Sequence, residues 1–284
     1  MIQKIIYFIL TLFLVSLHIF AQEPKRIVTL VPSLGELVAD FLRDDLSKIV
    51  GVSEYTDYPP KLKLKESIGP YYKFNIEKVV SLKPDLIFAT QDGNAKDQIL
   101  HLRELGLQVV VVNTTSLSEV YQSIDTVGNA LGKKEMSSQM IAQLKRGIEN
   151  IRVRNKKHAV KKVLLQIGYQ PLVVAGKRTF LNDILDVLNV QNVYSESRMS
   201  YPRPSFEDVI QKNPDVIIIF AMDKNLKSFY HFYRWKREWL QFKQINAVRQ
   251  NQIHVILGDT LLRPTLRLLE GLSMLEKTLG TVFQ

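Results

Sequence analysis

Two stretches of the chain repeat each other: "IEKVVSLKPDLIF" (76–88) and "FEDVIQKNPDVII" (206–218) align without a gap at an offset of 130 residues. Each carries a glutamate, a hydrophobic pair, a polar stretch, Pro-Asp and then an apolar run. Proline at that point stops a helix, and a strand begins at once. A helix–strand unit that occurs twice predicts two similar lobes, each with a sheet of its own.

The flanking pattern agrees. "RIVTLV" (26–31), "KIVGV" (48–52), "PDLIFAT" (84–90) and "LQVVVVN" (107–113) read as strands, with "LGELVADFL" (34–42) as a helix. The pattern restarts at "KKVLLQIG" (161–168), "PDVIIIFA" (214–221) and "QIHVIL" (252–257). Continuous β-branched runs separated by helices indicate parallel sheets buried on both faces. "RPTLRLLEGLSMLEKTLG" (263–280) reads as a terminal helix with Pro264 in its first turn.

Between the two halves, "SLSEVYQSIDTVGNAL" opens with a capping box, Ser116 and Glu119. After a break at Gly132, Met136, Met140, Leu144, Ile148 and Ile151 mark a second helical face. A helix over 135–156 would be roughly 33 Å long at 1.5 Å per residue. That length suits either a link between lobes or an ordinary packing helix. We therefore expect an α/β fold of two Rossmann-like lobes with central parallel sheets, joined by one long α-helix, with a ligand cleft between them. The expected divisions are 22–132, a connecting helix at 133–158, and 159–284.

The first residues, "MIQKIIYFILTLFLVSLHIFAQEP", read as a secretory signal peptide over 1–21. Lys4 supplies the positive start, residues 5–20 the apolar region and Ala21 a cleavage point. The run falls short of the roughly 20 residues that span a bilayer. The chain has no cysteine, so it has neither disulfides nor a thiol for lipid attachment. A soluble monomer in the periplasm, not a lipoprotein, is the expectation. The net charge of +10 raises the question of nucleic acid, but export argues against it. The bases cluster in "LKRGIENIRVRNKKHAVKK" (144–162), which reads as the solvated end of a helix.

Catalytic equipment is thin. Motifs of the GxSxG, Walker A, GxGxxG and HExxH types do not occur, and His101, His158, His231 and His254 stand isolated. No enzyme, metal or cofactor is expected. An exported α/β enzyme would have to draw its acid or base from Asp57, Asp92 or Asp259. Tyrosines, by contrast, recur in loops beside the strands: Tyr55 and Tyr58, Tyr71 and Tyr72, Tyr169, and Tyr201. Each offers a flat apolar face with a polar tip. Tyr58 and Tyr72 read as turn or core residues, and Trp235 and Trp239 as one packing face of a helix. Glu77 and Glu207 occupy equivalent places in the repeat. Each is either a helix-start carboxylate favoured by the macrodipole or one of two exposed carboxylates that dock on a partner's arginines.

Several segments together resemble the class III periplasmic substrate-binding proteins: "RIVTLVPSLGELV", "VGVSEYTDYPP", "NIEKVVSLKPDLIFA", "DGNAKDQILHLRELGLQVVVV", "VLLQIG", "FEDVIQKNPDVIII" and "INAVRQNQIHVI". "YTDYPP" and "DGNAKDQ" resemble the cobalamin-binding branch in particular. The resemblance implies capture of cobalamin or a related corrinoid between the lobes, and delivery to an ABC importer permease without chemistry. It places Glu77 and Glu207 at the docking positions for permease arginines. It places Tyr55, Tyr71, Thr90 and Tyr201 around the ligand, with Thr90, Tyr71 and Tyr201 standing where tryptophans occur in the branch. Asp259 and Arg263 match a polar pair near the ligand. A ferric siderophore or haem binder of the same class is the alternative.

Overall fold

The computed structural model describes residues 23–280, apart from 44, 158–159 and 222–225, and gives the backbone alone at 226–232. The expected signal peptide, with His18, lies outside the described residues, as do His158 and the side chain of His231.

The first lobe runs β1 (Ile27–Thr29), α1 (Pro32–Leu42), β2 (Ile49–Val52), β3 (Glu66–Ser67), α2 (Ile76–Ser81), β4 (Leu86–Thr90), α3 (Lys96–Glu104), β5 (Val109–Val112) and α4 (Leu117–Ala130). Its sheet has the order β3-β2-β1-β4-β5, all parallel. Gly132, at φ +68°, ends α4 where a side chain would be strained. The linking helix α5 follows (Lys134–Asn155, 22 residues).

The second lobe contains β6 (Lys162–Gly168), β7 (Val173–Val174), α6 (Phe180–Val187), β8 (Gln191–Asn192), α7 (Phe206–Lys212), β9 (Val216–Ala221), α8 (Leu226–Trp239), α9 (Asn246–Arg249), β10 (Ile253–Leu257) and α10 (Leu268–Gly280). Its sheet runs β10-β9-β6-β7, with β8 also paired to β6; β7 is the antiparallel member.

The repeat has a structural purpose beyond its proline. In the first lobe the Asp85 carboxylate accepts the backbone N–H groups of Lys25 (2.8 Å) and Arg26 (3.0 Å). In the second, Asp215 accepts the N–H of Lys162 at 2.9 Å. The aspartate of each Pro-Asp thus ties the start of its own strand to the start of the neighbouring one. The helices before them are capped alike: Asn75 accepts from Lys78 N–H and Ser205 from Asp208 N–H.

Strand side chains alternate between two apolar layers, as the pleat requires. Leu86 and Phe88 enter one layer, Ile87 and Ala89 another; Val216, Ile218 and Phe220 oppose Ile217 and Ile219 in the same way. The outer layers belong to one lobe each. The inner layer is continuous across both, running from β1 and α1 through α4 and α5 to α6 and α10. At Gly147 on α5 an added Cβ would lie 2.6 Å from a methyl of Leu269 on α10, so close helix approach depends on its absence. Arg154 and Asn155 both reach Glu276, at 2.7 and 2.8 Å. The lobes are welded along α5 rather than hung from it.

Two local readings need correction. Pro264 is not in the first turn of α10, which starts at Leu268; the side chains of Arg263, Thr265 and Arg267 are drawn across to Glu36 of the other lobe. At α4, Ser116 caps Glu119 N–H, but the Glu119 carboxylate accepts instead from Asn113 (2.7 Å) and Thr115. Trp235 and Trp239 do pack on one apolar cluster.

Candidate ligand cleft

The strands of both sheets point their C-terminal ends at a shared cavity of about 1100 Å³. Loops from both lobes line it, as the connectivity of parallel sheets leads one to expect.

Tyr55 projects from the loop after β2 because its neighbours turn inward. Ser53 and Thr56 are buried and share a hydroxyl–hydroxyl bond of 2.9 Å. Tyr71 sits in the loop before α2, whose carbonyl oxygen at Tyr71 accepts from the buried Asn94 amide at 2.7 Å. Tyr71 and Tyr72 meet edge to face at 5.5 Å. Tyr201 comes from the second lobe. Its segment pairs with β7 through Val174 N–H to Pro202 O (3.1 Å) and Gly176 N–H to Ser200 O (2.8 Å). Gly176 allows that approach, since a Cβ there would lie 2.2 Å from Met199 O. Tyr55, Tyr71 and Tyr201 all line the cavity and are 54%, 36% and 38% exposed, so their faces are free to meet a ligand. The Tyr201 hydroxyl is pushed up to about 12 by burial, by Asp92 and by Tyr71, so it is a neutral donor. Beyond it the second-lobe wall is apolar, formed by Ile167, Val173, Phe180 and Leu181.

Thr90 lines the cavity but is buried and committed to its own turn. Its N–H donates to Asn94 Oδ1 (2.8 Å), and its hydroxyl accepts from Gly93 N–H (3.1 Å). Asp92 follows it, with one carboxylate oxygen accepting from Thr114 at 3.3 Å.

Arg263 has two sets of neighbours. It pairs with Asp259, as the sequence resemblance implies, and it also crosses to the first lobe. There it donates to Asp57 at 2.6 Å and to the Tyr55 carbonyl at 3.3 Å, and lies 3.5 Å from Glu36. Glu36 is fully buried and also accepts from Thr265 (2.5 Å) and Arg267 (3.2 Å). Burial raises the Glu36 pKa, with Thr265, Arg267 and Arg263 opposing that rise. Burial disfavours the charge on Arg263 too, but Asp259, Asp57 and Glu36 outweigh it, so the guanidinium stays charged. The floor of the cleft is therefore an ion cluster that ties the lobes together. Arg267 also covers the Tyr58 ring at 3.8 Å, so Tyr58 packs against the cluster rather than lining the cavity.

Other expected residues fall elsewhere. Tyr169 stacks on Trp235 (5.0 Å, 19°) and does not line the cavity. Tyr72 lies in the loop turn and is exposed. Glu77 and Glu207 are exposed in the first turns of α2 and α7. Among the described residues no group of three or more metal-binding side chains occurs. Asn94 and the Ser53–Thr56 pair were not singled out from sequence; the "DGN" turn signal was the available clue.

Two welded α/β lobes with a ligand-sized cleft between the ends of their sheets define a solute-binding protein. The chain belongs to the periplasmic binding protein family, whose profile matches residues 27–259. It is 31% identical over 265 residues to the uncharacterized ABC transporter substrate-binding lipoprotein YvrC of Bacillus subtilis, covering 91% of this chain and 81% of the relative. The crystal structure of the periplasmic vitamin B12 binding protein BtuF of Vibrio cholerae is similar at TM-score 0.78 and 26% identity, covering 91% and 98% of the two chains. A structure described as a possible iron-binding periplasmic solute-binding protein from Staphylococcus epidermidis matches at TM-score 0.73 and 29% identity, covering 91% and 99%.

Proposed function

We propose that this protein captures cobalamin or a related corrinoid between its lobes and passes it to the permease of an ABC importer, without catalysing a reaction. The observation that carries this reading is the cavity of about 1100 Å³ with tyrosines on opposing walls, Tyr55 and Tyr71 against Tyr201. Drug-sized ligands occupy pockets of roughly 300–1,000 Å³, so the space suits a larger, flat macrocycle. With 54%, 36% and 38% of Tyr55, Tyr71 and Tyr201 still exposed, each can bury on the order of 100 Å² against a ligand, worth at most ~2–3 kcal/mol at 25 cal/mol per Å². The likeness to a vitamin B12 binding protein points the same way.

Residues 1–21 act as the export signal, and the mature chain is free in the periplasm as a monomer. The Bacillus relative is named a lipoprotein, but this chain has no cysteine to carry a lipid. Glu77 and Glu207 form the docking pair, one exposed carboxylate per lobe.

Two measurements test this. Protein purified from a corrinoid-containing culture should carry a corrinoid absorption spectrum; a haem spectrum would favour the second reading, in which a cleft tyrosine ligates iron. That reading draws on the iron-binding description of the Staphylococcus structure. Replacing both glutamates (E77A with E207A) should leave corrinoid affinity intact and stop uptake. Lost affinity with normal permease docking would reverse the assignment.

A further inference from the structure

Asp92 stands apart from the other carboxylates of the cleft. Asp57 and Asp259 both pair with Arg263. No ion pair with Lys, Arg or His forms at Asp92 among the described residues; its hydrogen bonds come from its own backbone and from the Thr114 and Thr90 hydroxyls, and Glu119 is a like charge acting on it. Two lysines, Lys63 and Lys65, also line the cavity, the first exposed and the second half-buried, and neither pairs with Asp92.

Its position is fixed by the turn that follows β4. Asn94 N–H donates to Thr90 O (3.3 Å), and Gly93 N–H donates to the Thr90 hydroxyl. A Cβ at Gly93 would lie 2.6 Å from that hydroxyl, so the turn is tight. Asp92 and Tyr201, from opposite lobes, line the same cavity, and the Asp92 charge adds to the rise of the Tyr201 hydroxyl. Surrounding protein pushes the Asp92 carboxyl up, and Glu119 adds to that, while the bonds to its own backbone, Thr114 and Thr90 oppose it.

We propose that Asp92 is a specificity-determining residue that accepts hydrogen bonds from amide groups on the ligand's rim and rejects ligands presenting a carboxylate there. The proposal rests on the corrinoid reading and narrows it to amide-decorated macrocycles. A carboxylate brought against Asp92 would force two like charges together or require one to take up a proton. An amide N–H instead meets a charged acceptor, a stronger bond than one between neutral groups.

The test uses wild type, Asp92→Asn and Thr114→Val, titrated with cyanocobalamin, with its monocarboxylates in which one peripheral amide is hydrolysed, and with haemin. Thermal melts check folding. Wild type should bind at least one monocarboxylate about tenfold or more weakly than cyanocobalamin, the scale of a hydrogen bond to a charged group. Asp92→Asn should erase that gap and bind haemin more tightly than wild type does, and Thr114→Val should narrow the gap. If wild type binds all monocarboxylates like cyanocobalamin, or folded Asp92→Asn keeps the gap, the inference falls while the corrinoid reading stands. Failure of wild type to bind any corrinoid, or a preference for haemin, overturns both.

Discussion

The two lobes share their scaffold and differ in their walls. Both begin with a strand clamped by the aspartate of a Pro-Asp, and both carry a short capped helix ahead of it. At the cleft they diverge. The first lobe presents Tyr55, Tyr71 and Asp92, whereas the second presents the apolar Ile167, Val173, Phe180 and Leu181, the Asp259–Arg263 pair and, among the described residues, one tyrosine, Tyr201. The repeated residues hold the sheets, and the unrepeated loops at the strand ends line the cleft. Loops on a rigid scaffold can change without disturbing the core.

The comparison breaks most violently where the lobes touch. Replacing Arg263 by methionine leaves Glu36 buried without one of its cations, and losing one partner of a buried pair costs ~3–5 kcal/mol. Thermal or urea unfolding should show that loss, and adding Glu36→Gln should recover part of it. A near-neutral Arg263→Met would mean that the cluster does not tie the lobes.

The next largest effect is confined to the first lobe. Asp40, one turn after Glu36, has its carboxyl raised from 3.8 to about 7 by burial and by Glu36, against the opposing charge of Arg267. Its Oδ2 has no hydrogen-bond partner. Between those two values the folded chain holds a proton that the unfolded chain has released, so stability falls as pH rises from 4 to 7. Asp40→Asn should therefore stabilise the protein above pH 7 by on the order of 2 kcal/mol, discounted for partial exposure, and have little effect near pH 4. Equal effects at both pH values would contradict the assigned proton.

Tyr201→Ala should weaken cyanocobalamin binding by ~1–2 kcal/mol, and more than Tyr55→Ala, because among the described residues Tyr201 is the second wall's one tyrosine in the cavity lining. The reverse order would place the ligand against the first lobe alone. Smallest and most symmetric, Asp85→Ala and Asp215→Ala should each cost ~1–2 kcal/mol, the loss of hydrogen bonds to a charged acceptor at the surface. Neither should alter ligand affinity.

These expectations show which parts of the molecule can be seen in its sequence. The repeat announced two sheets because Pro-Asp and β-branched runs are local signals. The purpose of its aspartates was not visible, since Asp85 bonds residues about 60 positions away. The cleft tyrosines were legible as aromatic residues in stiff loops, but Tyr169 was not distinguishable from them until its stack on Trp235 was seen. Arg263 was legible as one of a pair with Asp259; Glu36, 227 positions distant, was not. Thr90 stands where an aromatic occurs in the cobalamin-binding branch, yet here its hydroxyl organises the turn that presents Asp92. On the proposal made for Asp92, that substitution moves recognition at this point from a ring face to a neighbouring carboxylate.

The central claim is that the opposed tyrosines of the two lobes hold a corrinoid. Calorimetric titration of ligand-stripped protein with cyanocobalamin, haemin and a ferric hydroxamate in parallel tests it most directly. The account predicts one site per chain and tightest binding for cyanocobalamin. Tight binding of haemin or the ferric complex, with no heat from cyanocobalamin, would contradict it.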